Sequence, residues 1–176
     1  IPEPLPNVVT FHEHWRESLF FVMHPQDEEG DVLILTLAHF PKREEMDSLQ
    51  MCRFGGQLAF ARHARHYEGD PHTMVAGPVR VGITEPYKTV KLFVDPAESP
   101  IGLDVTFTAR TRECGLRRGT MKRGSETIWD QSHMIQSGRF NGTYTFGGKT
   151  YEVRDWWGQR DHSWGIRDHL RCPMWQ

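Results

Sequence analysis

The apolar and polar positions alternate in short runs separated by turn residues. Trp15 to Met23 is apolar, aromatic and free of glycine and proline, and predicts a strand. Asp31 to Phe40, bounded by Gly30 and Pro41, predicts a second strand that pairs with the first as a hairpin. Lys42 to Met51 is charged and predicts a short helix or a loop ended by Gly55-Gly56. Gln57 to Tyr67 sets Leu58, Phe60, Arg62, Ala64 and His66 against the intervening residues. It fits a strand with one basic face or a helix, and the glycines and prolines at its ends favour the strand. Val79 to Ile83, Thr89 to Val94 and Leu103 to Thr111 predict three more strands, the last with strict alternation of Leu103, Val105, Phe107 and Ala109 against polar partners. Glu113 to Thr127 is rich in glycine and arginine and predicts a long mobile loop whose basic tip, 117–123, is solvated.

The last third predicts a meander. His133 to Phe146 carries Gly138 and Gly142 at bulge or bend positions, and Gly147-Gly148 is a two-residue hairpin signal. Lys149 to Trp157 is the returning strand, which Gly158 is expected to end. With no long 3.6-residue period, about seven to nine short strands predict an all-β antiparallel barrel or a strongly curved sandwich. Such a sheet must close or cover its edges, and eight strands are about the fewest that enclose a small ligand.

Composition changes this picture little. A chain of 176 residues with 38% hydrophobic positions is expected to form one domain, 1–176, with residues 1–14, which hold three prolines, as an extended arm. The net charge of -2 implies no affinity for nucleic acid, and the basic run at 117–123 lacks interleaved aromatics. No apolar run reaches membrane-spanning length, and the N-terminus lacks the regions of a signal peptide. Cys52, Cys114 and Cys172 form neither a disulfide framework nor a zinc motif, so a reducing, cytoplasmic setting is expected. The chain stops one residue after Trp175, so either this tail is expected to dock on the body or the sequence is a piece of something longer, the reading favoured here.

Candidate chemistry concentrates in residues 156–169, WWGQRDHSWGIRDH, with three tryptophans and two Arg-Asp-His triplets. Exposed indoles and unpaired buried charges are both unfavourable, so the mixture predicts the wall of a pocket that is part polar and part apolar. His162 and Trp164 are the leading catalytic candidates, and Asp161 or Asp168 is expected to orient the imidazole or supply the acid. Tyr151, Trp157, Arg160 and Arg167 are candidate ligand contacts, although the Arg160-Asp161 and Arg167-Asp168 pairs equally fit ionic fasteners. Trp156 and Trp157 should point to opposite faces, one of them into the core. His169 is read as a surface residue. His12 with His14, and His63 with His66, have ligand spacing but no third ligand in register, so no metal is expected. Ser163 lacks the flanking glycines of a nucleophile elbow, and no cofactor motif is present.

Gln136-Ser137-Gly138-Arg139, Gly142-Thr143, Gly147-Gly148 and Arg160-Asp161-His162-Ser163-Trp164-Gly165 with Arg167-Asp168 resemble the carotenoid 1,2-hydratase (hydroxyneurosporene synthase)-like and AttH-like group. Trp15-Arg16-Glu17-Ser18 and the stretch from Gly77-Pro78-Val79-Arg80 to Glu85-Pro86 resemble its N-terminal half. The resemblance implies a lipocalin-like barrel, the first of two in tandem. It implies that His162 and Trp164 take part in acid-assisted hydration of a carbon–carbon double bond, with further groups supplied by a second half. The partners it implies are an apolar small molecule, isoprenoid- or polyketide-like, and a second lipocalin-like domain or a second copy of the chain. A non-catalytic carrier of such a molecule is the alternative, because one fold hosts many functions.

Overall fold

A computed structural model describes residues 12–27, 30–66, 74–168 and 170–171. The arm expected over 1–14 lies almost wholly outside these residues, as do His169 and the tail from Cys172.

Eleven strands form one antiparallel sheet: β1 Trp15–His24, β2 Val32–Phe40, β3 Glu45–Phe54, β4 Gln57–His66, β5 Val75–Ala76, β6 Val79–Glu85, β7 Thr89–Val94, β8 Ile101–Ala109, β9 Cys114–Arg123, β10 Glu126–Phe146 and β11 Lys149–Arg167. Ten of them run in the order β4-β3-β2-β1-β11-β10-β8-β7-β6-β5, and β9 pairs with β10 beside the point where β8 ends. The sheet curls into a nearly closed, lipocalin-like barrel. At its open edge side chains bridge to β5: Ser48 Oγ of β3 donates to the Ala76 carbonyl at 3.1 Å, and Arg65 Nε of β4 donates to the Val75 carbonyl. Two polar side chains thus satisfy carbonyls at a seam where, among the described residues, no main-chain ladder runs. Among the described residues no helix is long and apolar enough to cross a membrane.

Three expectations are corrected. Lys42 to Met51 is neither helix nor loop: after one 3-10 turn, Pro41–Arg43, it is most of β3. Its inward residues are Met46, Ser48, Gln50 and Cys52, and the buried polar pair Ser48 and Gln50 removes the apolar alternation that marks a strand. The loop expected over 113–127 is β9 and the start of β10. Nearly every β9 side chain is exposed, so the strand carries no face to read and is held by its ladder to β10. Gly158 does not end β11, which runs on to Arg167. A Cβ at Gly158 would lie 2.1 Å from the Val22 carbonyl, so glycine is what lets β1 and β11 stay in register there. Gly138 is likewise a close-approach position under the Phe107 ring, whereas Gly142 sits at the β-bulge where Asp155 is the extra residue of β11, at φ 52°.

The inward faces build one core from Leu19, Phe21, Met23, Leu33, Leu35, Leu37, Val105, Phe107, Phe140 and Trp156. At one end of the barrel the filling is aromatic. Phe107 meets Phe140 at 5.1 Å and Phe21 at 6.5 Å, Tyr144 stacks on Tyr151 at 4.9 Å, and Phe54 lies 4.5 Å from Tyr151. The Tyr144 hydroxyl donates to Asp31 at 2.6 Å, and burial together with that carboxylate raises its pKa above the usual phenol range.

Candidate functional site

Toward the other end, the inward positions turn polar at one level. Along β1 they read Trp15, Glu17, Leu19, Phe21, Met23, and along β2 Leu33, Leu35, Leu37, His39. Glu17 stands opposite His39 on one side and Trp164 on the other, and Leu19 stands opposite His162. Three buried ionisable groups therefore meet: Glu17, His39 and His162 are each 1% exposed. His162 Nε2 lies 2.8 Å from Glu17 Oε1, a buried pair whose geometry must be good for it to persist. The indole of Trp164 lies 5.1 Å from the His162 ring. Burial depresses the pKa of His39, partly offset by the Glu17 charge.

His162 and Trp164 form one wall of a cavity of about 350 Å³. Met134, Ser132 and Leu116 line it, and Tyr87 stands at its edge. This volume is near the lower end of small-molecule pockets. β9 shifts its register on β10 between Gln131 and His133, beside Ser132 on the cavity wall. Tyr87 occupies the left-handed region at φ 61°, unusual for an aromatic residue. Gln136 Nε2 donates to the Tyr87 carbonyl at 2.8 Å and to the Thr111 carbonyl at 2.9 Å, while its oxygen accepts from buried Arg160 Nε at 2.9 Å. Arg160 and Gln136 thus tie the Tyr87 turn to the barrel wall.

The strand period divides the motif. Arg160, His162 and Trp164 face inward, and Asp161, Ser163 and Arg167 face outward. Asp161 accepts from His133 Nδ1 at 3.0 Å on the outer face, away from His162. Asp168 lies past the end of β11, where it takes Leu170 N at 3.0 Å and Arg171 Nε at 2.5 Å. Burial would raise the Asp168 pKa, but these hydrogen bonds and the nearby His14 and Arg171 charges hold it below the usual range. The carboxylate at His162 is Glu17. Arg167 packs on the Trp129 ring at 4.5 Å on the outer face, and Arg160 reaches Gln136. Trp156 is in the core and Trp157 is 45% exposed under Arg139, at 5.0 Å. Tyr151 belongs to the aromatic end, eleven residues along β11 from His162, on the order of 35 Å away. Glu17 and His39 were legible in principle: the parity of Leu19, Phe21 and Met23 puts Glu17 inward, and that of Leu33, Leu35 and Leu37 does the same for His39. Among the described residues, no group of three or more His, Cys, Asp or Glu is placed to hold a metal.

Among solved structures, the chain is similar to that of a candidate AttH from Nitrosomonas europaea, with a TM-score of 0.67 and 11% identity over 91% of this chain and 54% of that one. The chain therefore spans about half the length of that structure, and at this identity the likeness carries the fold alone. No curated protein matches. A family model covers residues 1–172, and the chain accordingly belongs to the Family of unknown function DUF8625.

Proposed function

We propose that this barrel is the His162-bearing half of a cofactor-independent enzyme of hydratase or isomerase type, acting on an apolar isoprenoid- or polyketide-like molecule. The observation that carries the reading is the buried Glu17–His162 pair beside the Trp164 indole on the wall of a 350 Å³ cavity. Hydrating or isomerising an alkene by acid begins with a proton placed on carbon, which leaves a carbocation. Glu17 accepts from His162 Nε2 and fixes the ring, the imidazolium gives its Nδ1 proton to carbon, and the water that adds to the cation returns a proton to Nδ1. Trp164 presents a π-system that favours a cation by roughly 1–2 kcal/mol when water is excluded. Ser132 gives the cavity a hydroxyl that can hold the attacking water. Asp161 and Asp168, engaged elsewhere, take no part in the step. A second lipocalin-like domain or a second copy of the chain closes the open side. A reducing, cytoplasmic setting belongs to the same reading and agrees with free Cys52 and Cys114.

The test is incubation of the full-length protein with a panel of isoprenoid and polyene alkenes in D2O, followed by mass spectrometry. Turnover places deuterium on carbon, and His162→Ala or Glu17→Gln removes at least about 99% of that incorporation. The alternative is a non-catalytic carrier, favoured by the small, largely apolar cavity. A ligand that binds and is recovered without deuterium would assign the barrel to that role.

A further inference from the structure

The His162 cavity does not end at Trp164. A second cavity of about 310 Å³ lies beside it, lined by Trp15, Asp130, Ser132, Trp164 and Ile166. Arg118, Ser132 and Trp164 line both. The strand register shows why the two adjoin. Met134 stands opposite His162, Ser132 opposite Trp164, and Asp130 opposite Ile166, whose partner on the other side is Trp15. These are three successive rungs of one inward face, since residues two apart along a strand share a face. The first rung belongs to the His162 cavity and the third to the second cavity, while the middle one is shared. From His162 to Ile166 is four residues of strand, about 13 Å.

The far rung carries a charged pair. Asp130 accepts from Arg118 Nε at 2.5 Å and from Arg118 Nη2 at 2.6 Å, and the Thr120 hydroxyl lies 3.5 Å from the same carboxylate. Arg118 is placed there by the shift in β9, which sets two residues, Arg117 and Arg118, against Ser132 alone. The Arg118 bond holds the Asp130 carboxyl below its usual range, so it is ionised at neutral pH. A bidentate pair does not exhaust either partner. Carboxylate oxygens have further lone pairs, and the guanidinium keeps the N–H groups of Nη1. The pair therefore offers the cavity both an acceptor and a donor, with no net charge. A hydroxyl answers both, donating to Asp130 and accepting from Arg118. A carboxylate sets like charge against Asp130, and a hydrocarbon answers neither group.

We propose that the two cavities form one elongated site for an amphipathic alcohol, with its hydroxyl on the Asp130–Arg118 pair and its apolar chain passing over Trp164 to His162. The assignment rests on the reading of the His162 cavity as the ligand site and adds the polar end of the molecule to it. It holds for a carrier as for an enzyme.

The experiment is titration of the full-length protein with farnesol, farnesyl methyl ether and farnesoate, followed by tryptophan fluorescence. Farnesol should bind at least about tenfold more tightly than the ether, which cannot donate, and than the carboxylate. The double variant Asp130→Leu/Arg118→Met removes the pair without stranding a charge and should abolish the preference over the ether. Asp130→Asn keeps the size of the side chain and leaves Arg118 unbalanced, so it should shift the preference toward farnesoate by at least about tenfold. His162→Ala, at the other end of the site, should leave the preference of farnesol over its ether within about twofold of wild type. Equal binding of farnesol and its ether, tightest binding of farnesoate by the wild type, or binding of none of the three overturns the proposal. So does a preference for farnesol that survives the double variant. These readouts are affinities, so the polar end stands or fails separately from the deuterium test of turnover.

Discussion

The two ends of the barrel interior are made by the same strands and filled in opposite ways. At one end Phe21, Phe107, Phe140, Tyr144 and Trp156 interlock, and the Tyr144 hydroxyl among them is satisfied by Asp31. At the other, a few residues further along β1, β2 and β11, the inward positions carry Glu17, His39 and His162. Burying aromatic area stabilises a fold directly, whereas a buried carboxylate with two imidazoles is at best neutral for stability and commonly costs it. The first end therefore accounts for why the barrel stands. The second does not follow from stability, since apolar residues of similar size would serve the fold as well.

Four measurements break or sharpen this contrast. The largest effect is expected at the aromatic end: Phe107→Ala should lower unfolding stability by about 4 kcal/mol in urea denaturation. It should leave ligand binding at the His162 cavity unchanged once the protein is folded. Glu17→Leu should cost about 3 kcal/mol, because it strands the buried imidazole of His162, and the double variant Glu17→Leu/His162→Leu should recover most of that loss. A double variant no more stable than the single one would mean that the pair supports the fold, and the contrast between the ends would fail.

The third measurement is a pH series. His39 has a depressed pKa in the folded chain, so the unfolded chain takes up its proton first as pH falls through the ordinary value of about 6.5. The unfolded state then binds more protons, and stability contributed at neutral pH is lost below about 6.5, by at most about 1.4 kcal/mol per pH unit for this one group. His39→Asn should flatten that part of the acid limb relative to wild type, and an unchanged limb would remove His39 from the account. The smallest effect belongs to Trp157→Ala on the outer wall, less than about 1 kcal/mol, with no change in binding at either cavity. A tenfold change in ligand affinity there would restore Trp157 as a contact residue.

What could be read from the sequence followed the physics of each segment. Strands with one apolar face, such as β2 and β8, announce themselves by alternation, because burial selects every second residue. β3 buries Ser48 and Gln50 and β9 buries almost nothing, so neither leaves that trace. The same period explains the site. Reading Asp161-His162-Ser163-Trp164 as a compact cluster groups residues by nearness along the chain, but a strand sends neighbours to opposite faces. His162 and Trp164 were legible as a pair because they share parity. Parity shows that Glu17 faces inward but not that it is the carboxylate beside His162, because that contact, across 145 positions of sequence, is set by the register of β1 against β11. The second cavity was invisible for a similar reason: Trp15, Arg118, Asp130 and Ile166 come from separate strands and share only a face.

The seam between β4 and β5 has a mechanical consequence. A barrel closed by main-chain ladders on every side is a hoop whose girth is set by strand number and shear. Among the described residues the last joint is a clasp, made by the reach of Ser48 of β3 to Ala76 and of Arg65 of β4 to Val75. A clasp made of rotatable side chains tolerates changes in circumference that a ladder does not. The barrel can relax its girth at that joint while its ladders keep their register.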